Sequence, residues 1–287
     1  MIFARVFFSL GRLFIFISLK NCLFWGVILQ NITTITAKDN SLIKLVCSLQ
    51  TSSKARKENN LFVLEGKRIC DDAKVCGIRF DKLITGETAF GKYAKDIEIF
   101  AENSKEVYKI TDSLFKKISD TTSPQGIIAL AKMPEKTPEI NKNGRYIALE
   151  NLNDPSNLGA ISRTAEALGV SGIIISADSC DPYSPKSLRA SMGTLLRMPI
   201  LFAEDLVFTI KNSGLESYAC VVDNKAKAIT DIKFKDGSVI IIGNEANGLT
   251  ENAIANADNK ITIPMCGKAE SLNASVAGAI AMWEMMK

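Results

Sequence analysis

"LENLNDPSNLGAISRTAEALG" occupies residues 149–169. An apolar, strand-like run ends in the carboxylate of Glu150, and a polar loop with Asp154-Pro155 follows. Asn157 then opens a helix, with Arg163 inside its first two turns and Gly159 permitting close approach of another backbone. Open α/β sheets bind ligands beyond the carboxyl ends of their strands, and this loop lies in that position. A helix cap followed by a surface arginine would read the same way, so the neighbouring stretches must decide.

Two later stretches repeat the pattern. In "VIIIGNEANGLT" (239–250) a buried-type strand ends at Gly243, followed by Asn244-Glu245 and Asn247-Gly248 before a helix. In "IPMCGKAESLNASVAGAIAMWEMMK" (263–287) a strand stops at Pro264. A polar turn with Gly267, Lys268, Glu270, Ser271 and Asn273 precedes a helix of small and apolar residues. Ser271 and Asn273 each suit a helix cap, and one cap would suffice. The helix itself reads either as core or as a subunit interface, where Met and aromatic residues are enriched.

Outward from these corners, apolar strands are expected at "YIALE", "GIIIS", "PILFA", "YACVV", "SVIIIG" and "KITIP". Helices are expected at 157–168, 185–196, 205–213, 250–257 and 274–286. Near-continuous apolar strands between helices imply a parallel sheet buried on both faces. A stretch with two prolines and a terminal Asn-Gly, 133–145, reads as a linker. Before it, "SLIKLVCSLQ" is a helix with Ser41 as its cap, "TSSKARKENN" a basic loop, and "LFVLEG" a strand. Helices and strands then alternate to "QGIIALAK", giving a small α/β domain over 34–132. "GETAFGKY" (86–93) approaches a phosphate-binding loop, but Tyr93 stands where a hydroxyl must reach magnesium. It reads as a strand-to-helix turn.

Residues 1–33 form an apolar leader interrupted by Arg12 and Lys20. No apolar run there reaches the roughly 18 residues of a spanning helix, and a convincing cleavage site is missing. Of a membrane anchor, a secretion signal and an extension from an upstream start, the last is preferred.

Residues 34–135 carry 17 basic and 14 acidic side chains, whereas 136–287 carry 15 and 17. A polyanion would therefore be gripped by the front domain. The chain has no histidine, which removes Ser-His and Cys-His hydrolases and His-ligated zinc. Seven cysteines without a Cys-x-x-Cys motif read as free thiols of a reducing cytoplasm.

Three polar corners in this order carry a resemblance. Asn157-x-Gly159-x-x-x-Arg163-Thr164, Gly243-Asn244-Glu245-x-x-Gly248-Leu249, and Ile263-Pro264-Met265 with Ser271-Leu272-Asn273-x-Ser275 resemble the SpoU/TrmH family of RNA ribose 2′-O-methyltransferases in the SPOUT superfamily. The match covers about 146–287. The front domain is similar to the family's RNA substrate-binding module through "FVLEGKRICDDA" and "TTSPQGIIAL".

The resemblance implies an α/β fold: a C-terminal parallel-sheet SPOUT domain with a trefoil knot, preceded by a small α/β RNA substrate-binding domain. It implies methyl transfer from S-adenosylmethionine to a ribose 2′-hydroxyl, with ribosomal RNA favoured over transfer RNA. A base-directed methyltransferase and a non-catalytic RNA-binding protein are the alternatives. It also implies a cytoplasmic homodimer joined through the C-terminal helix and knot region, with no metal and no membrane association. Arg163, Asn157, Glu245 and Asn273 are the expected catalytic residues, with Glu245 and Asn157 fixing Arg163 or the ribose. Gly243, Asn244, Ile263, Met265, Ser271 and Leu272 are expected to hold the donor, Gly243 because a side chain would occupy the donor's place. Lys54, Arg56, Lys57, Lys67 and Arg68 are the expected RNA phosphate contacts.

Overall fold

The computed structural model describes residues 32–135 and 138–287. The reading of the leader therefore lies almost wholly outside the described residues. The exceptions are Ile32 and Thr33, which belong to a paired strand and move that boundary to before Ile32.

The front domain holds β1 (Ile32–Ile35), α1 (Ser41–Thr51), α2 (Ser53–Asn59), β2 (Leu61–Glu65), α3 (Lys67–Val75), β3 (Phe80–Gly86), α4 (Glu87–Lys92), α5 (Ala94–Glu102), β4 (Ser104–Ile110), α6 (Asp112–Ile118) and β5 (Ile127–Lys132). Its five strands are ordered β1-β4-β3-β5-β2. β5 runs antiparallel to both of its neighbours, and the rest of the sheet is parallel.

Two expectations fail here. Asn40, not Ser41, caps α1, its side chain accepting from the Leu42 N–H at 2.8 Å. The basic stretch expected as a loop is the helix α2. It shows no apolar period, yet Ala, Arg, Lys and Glu are good helix formers. Ser52 caps its start by accepting from the Ala55 N–H, and Asn60, in the left-handed region at φ 53°, ends it.

The second domain holds β6 (Arg145–Leu149), α7 (Pro155–Leu168), β7 (Gly172–Ser176), α8 (Pro185–Ser191), β8 (Ile200–Ala203), α9 (Leu206–Ser213), β9 (Glu216–Cys220), β10 (Lys227–Ala228), β11 (Ser238–Ile242), α10 (Glu251–Asn256), β12 (Asn259–Thr262) and α11 (Ala274–Met286). Its seven strands are ordered β10-β12-β9-β11-β6-β7-β8 and every pairing is parallel. Alternate residues of the central strands enter opposite cores. Ile147, Leu149, Ile173 and Ile240 meet α7 and α11 on one face. Ala148, Ile174, Val239 and Ile241 meet α9 and α10 on the other. The helix expected over 185–196 stops at Ser191. Met192 and Gly193 turn left-handed (φ 51° and 85°), and a short 3₁₀ turn, Thr194–Leu196, follows.

The domains share a core: Phe62, Phe80 and Ala129 of the front belong to the same buried cluster as Ile147, Tyr183 and Leu195. Arg56 of α2 ties the two together, its Nε donating to Asp181 Oδ2 at 2.7 Å. Among the described residues no helix is long and apolar enough to cross a membrane.

Candidate active site

The three corners meet at the carboxyl ends of β6, β11 and β12. Glu245 is the joint. Its carboxylate accepts from the backbone N–H groups of Asn153 (3.1 Å) and Asp154 (2.9 Å) and from Asn157 Nδ2 (2.9 Å). Asn157, only 6% exposed, accepts in turn from Asn273 Nδ2 at 3.1 Å. Asn273 caps α11 by accepting from the Ser275 N–H at 2.9 Å. One side chain from each corner thus forms a continuous chain, Glu245–Asn157–Asn273, ending on a helix N-terminus. Burial pushes the Glu245 carboxyl up. The Asn157 side chain and the Asp154 and Asn153 N–H groups outweigh it and hold the carboxyl below the usual carboxylate range. Glu245 is therefore ionised at neutral pH. Its stabilising contribution is complete above the ordinary glutamate pKa and fades only as pH falls through the lowered folded value.

The second corner is folded tightly on itself. Asn244 and Gly248 exchange backbone hydrogen bonds, both 3.0 Å. The Asn244 side chain accepts from Ala246 and Asn247 N–H and donates to the Asn151 carbonyl at 2.8 Å. A Cβ on Gly243 would lie 2.2 Å from the Gly248 carbonyl carbon and 2.3 Å from the Leu249 nitrogen. The sequence reading gave that glycine to the donor's space. The structure shows that it makes room for its own loop. Gly159 allows α7 to cross α8, where a Cβ would meet Ala190 Cβ at 2.5 Å.

A cavity of about 540 Å³ opens between these loops. Gly243, Asn244, Ile263, Met265, Ser271 and Leu272, all named from the sequence, line it together with Glu245. Val221, Val222 and Asp223 also line it and were missed. They follow β9, where the apolar run Tyr218–Val222 gives way to Asp223-Asn224, and that change is the signal that would have found them. Glu150 was missed as well. It is buried and anchors the start of α10 by accepting from Thr250 N–H (2.8 Å) and Oγ1 (2.7 Å).

Arg163 does not join the cavity. It stands exposed on α7, and among the described residues its side chain has neither a carboxylate partner nor a hydrogen bond. Glu245 and Asn157 hold the start of α7, not the Arg163 guanidinium, so that part of the expectation is corrected.

The front-domain cations also separate. Arg56 is 3% exposed and gives its guanidinium to Asp181 and to the Leu49 carbonyl (2.6 Å). It cannot present itself to a phosphate, and that assignment is withdrawn. Lys67 is matched by Asp71 at 2.7 Å and Asp96 at 3.2 Å. Lys54 has a loose 3.8 Å pair with Glu58. Lys57 and Arg68 are exposed without a carboxylate partner among the described residues.

A parallel α/β domain whose strand-end loops close on one cavity, carrying a separate mixed-sheet module in front, is a two-domain ligand-binding architecture of the open-sheet class. Residues 144–283 match the SpoU rRNA Methylase family and residues 40–129 match the MRM3-like substrate binding domain; the chain belongs to the SpoU/TrmH methyltransferases. An uncharacterized tRNA/rRNA methyltransferase of Synechocystis sp. is 29% identical over 259 residues, covering 89% of this chain and 94% of the relative. The 23S rRNA (guanosine(2553)-2′-O)-methyltransferase RlmP of Bacillus subtilis is 28% identical over 237 residues, covering 82% and 92%. The AdoMet-bound crystal structure of an rRNA methyltransferase from Sinorhizobium meliloti superposes with a TM-score of 0.77 at 26% identity, covering 89% of this chain and 97% of that one.

Proposed function

We propose that the protein transfers a methyl group from S-adenosylmethionine to a ribose 2′-hydroxyl of structured RNA, with ribosomal RNA favoured over transfer RNA. The observation that carries this is the cavity built jointly by the three corners and locked by Glu245–Asn157–Asn273. Its residues fit the donor. About 540 Å³ lies within the 300–1,000 Å³ usual for small-ligand sites. Three carboxylates line it (Asp223, Glu245 and Glu270) against one lysine, Lys260, a balance that suits a cationic ligand. Leu272, Ala274 and Ile242 give an apolar wall for a base. When bound, S-adenosylmethionine supplies the electrophilic methyl of a sulfonium.

The chain's own residues have orienting work. Gly243, Asn244, Ile263, Met265, Ser271 and Leu272 hold the donor, and Asn157 and Asn273 brace the loop through the hydrogen bonds above. Arg163 faces the ribose. A guanidinium with a pKa above about 12 stays protonated, so it stabilises a developing alkoxide and does not act as a free base. Lys54, Lys57, Lys67 and Arg68 contact RNA phosphates, and the 2′-hydroxyl distinguishes RNA from DNA.

Arg163 reaches a site through a second copy. α11 exposes Val276 (46%) and Trp283 (55%) two turns apart, beside α7. A homodimer joined there covers that apolar stripe and brings the Arg163 of one subunit toward the partner. A trefoil knot made by the last strands and helix belongs to the same reading. It is supported by β12, the last strand, lying inside the sheet between β9 and β10. The cytoplasm, where RNA and reduced thiols coexist, is the proposed location.

Isothermal titration with S-adenosylmethionine, followed by mapping of ribose methylation on ribosomal and transfer RNA from a strain lacking the gene, tests the assignment. Binding and one lost ribosomal 2′-O-methyl mark are expected; a lost base methyl would overturn the ribose assignment. Trp283→Arg is expected to weaken self-association by about 30-fold or more, the roughly 2 kcal/mol of an interface hot spot. Sedimentation at graded concentrations would read it, and an unshifted dimer would refute this interface.

A further inference from the structure

A second, larger cavity of about 1040 Å³ lies between the two domains. Its wall is formed by the carboxyl ends of β7 and β8, with Ser176, Ser179 and Ala203 at the lining. It therefore opens on the same edge of the parallel sheet as the donor cavity. The loop between the two is continuous: Cys180 N–H donates to the Leu152 carbonyl at 2.7 Å, and Leu152 N–H to Ser179 Oγ at 3.1 Å.

Three aromatic rings run into this cleft. Phe62, 1% exposed, lies 5.0 Å from Tyr183, and Tyr183 lies 6.4 Å from Phe202, centroid to centroid. Phe202 ends the ladder 49% exposed on the edge strand β8, between buried Leu201 and Ala203. Tyr183 is 6% exposed and lines the cleft; its hydroxyl makes no hydrogen bond to another described residue and is not among the buried polar atoms left without a partner, so it meets the cleft's solvent. A tyrosine ring buried to its tip, with the hydroxyl facing an opening, presents a polar handle there. Burial, with Asp181 nearby, pushes it up to about 12, so it stays an O–H that can donate.

The cleft carries cations to spare. Lys57, Arg79 and Lys132 line it without a carboxylate partner among the described residues. Of the acids at the lining, Asp81 is matched by Lys82 and Lys105, and Asp181 by Arg56. Glu135 and Glu204 remain, so the unmatched charge is positive. An exposed ring backed by two others, a free hydroxyl donor and unpaired cations are the elements that receive a splayed nucleotide of single-stranded RNA.

We propose that this interdomain cleft binds an unstacked nucleotide of the RNA substrate away from the methylated ribose, its base stacked on Phe202 and hydrogen-bonded by Tyr183, its phosphates met by Lys57 and Arg79. The inference rests on the RNA methyltransferase reading above. It adds a contact that holds the RNA in register along the rim of the sheet.

The test uses the full chain with fluorescein-labelled ten-nucleotide oligoadenylate and oligouridylate. Phe202→Ala is expected to weaken their binding about tenfold, within the range of a lost base–aromatic stack. Phe202→Trp keeps the stacking surface. It is expected to retain affinity and to lose fluorescence on RNA addition beyond the change given by the wild type's own Trp25 and Trp283. Unchanged binding by Phe202→Ala, or a Phe202→Trp signal that RNA does not quench, overturns the proposal. Quenching by adenosine monophosphate without binding of either oligonucleotide also overturns it and marks a small-molecule site. Titration of the wild type with S-adenosylmethionine separates the failures. Donor binding with an indifferent Phe202 sinks the cleft alone, whereas absence of both donor and RNA binding sinks the parent reading with it.

Discussion

Replacing Arg56 by alanine is expected to destabilise the protein by about 3–5 kcal/mol, the cost of breaking a buried ion pair by removing one partner. The side chains of Arg56 and Asp181 are 4% and 14% exposed. Truncation leaves the Asp181 carboxylate without its cation and the Leu49 carbonyl without its donor. Against a total stability of roughly 5–15 kcal/mol this is large, and a fall in Tm on the order of 10 °C should register in a thermal melt. Arg56→Lys restores the charge but not the forked geometry that reaches both acceptors, so it should recover only part of the loss. Lys57→Ala, one position on and exposed, should stay within about 0.5 kcal/mol of wild type. A melt of Arg56→Ala indistinguishable from that of Lys57→Ala would show that the clasp is not structural.

The clasp outweighs the other ion pairs between the domains. Arg189–Asp120 is short, 2.6 Å, but both side chains are more than a third exposed. Arg197–Asp72 is 3.8 Å long, and Arg197 is engaged more closely with Glu166. Pairs of this kind contribute about 0–1 kcal/mol. The interface is held by the shared apolar cluster around Phe62, Tyr183 and Leu195, with the buried Arg56–Asp181 pair joining the two domains beside it. The relative orientation of the domains is thus set by packing and one specific charge pair.

The parallel sheet was legible because its strands are apolar on both sides, a pattern that only a sheet covered by helices accommodates. The cavity at the strand ends was legible as a place, since glycine, Asn, Ser and Glu recur at the ends of those strands, where buried backbone gives way to a polar loop. What escaped was set by distant partners. Arg56 looks like its neighbours Lys54 and Lys57 in sequence; its acceptor Asp181 lies 125 residues away. α2 escaped because a short polar helix held by caps leaves no apolar period to detect. Gly243 was seen to be needed, but the reason differed. The group that a side chain would strike belongs to the chain five residues on, where the loop returns.

That return makes Gly243→Ala the severest single-methyl change expected at the site. The added carbon would sit 2.2–2.5 Å from the Gly248 carbonyl group and the Leu249 nitrogen. These are backbone atoms that cannot swing aside like a flexible side chain. The two Asn244–Gly248 hydrogen bonds must open, and Glu245, carried between them, is displaced from the Asn153 and Asp154 N–H groups. Asn157 then loses its acceptor, and the link to Asn273 at the cap of α11 is strained at both ends. Overpacking of this kind costs about 1–3 kcal/mol in stability. The larger effect falls on the cavity, because its lining residues on this loop move together. Affinity for S-adenosylmethionine should drop by about 100-fold or more, equivalent to roughly 3 kcal/mol, with the fold retained by circular dichroism. Gly278→Ala is the control. It lies within α11, where the new methyl would meet Ile147 and Ile161 at 3.4 Å and where alanine favours the helix by roughly 0.5–1 kcal/mol. Isothermal titration of both variants decides the matter. Should Gly243→Ala bind the donor as the control does, the loop is pliant, and the lock running from Glu245 to Asn273 does not shape the cavity.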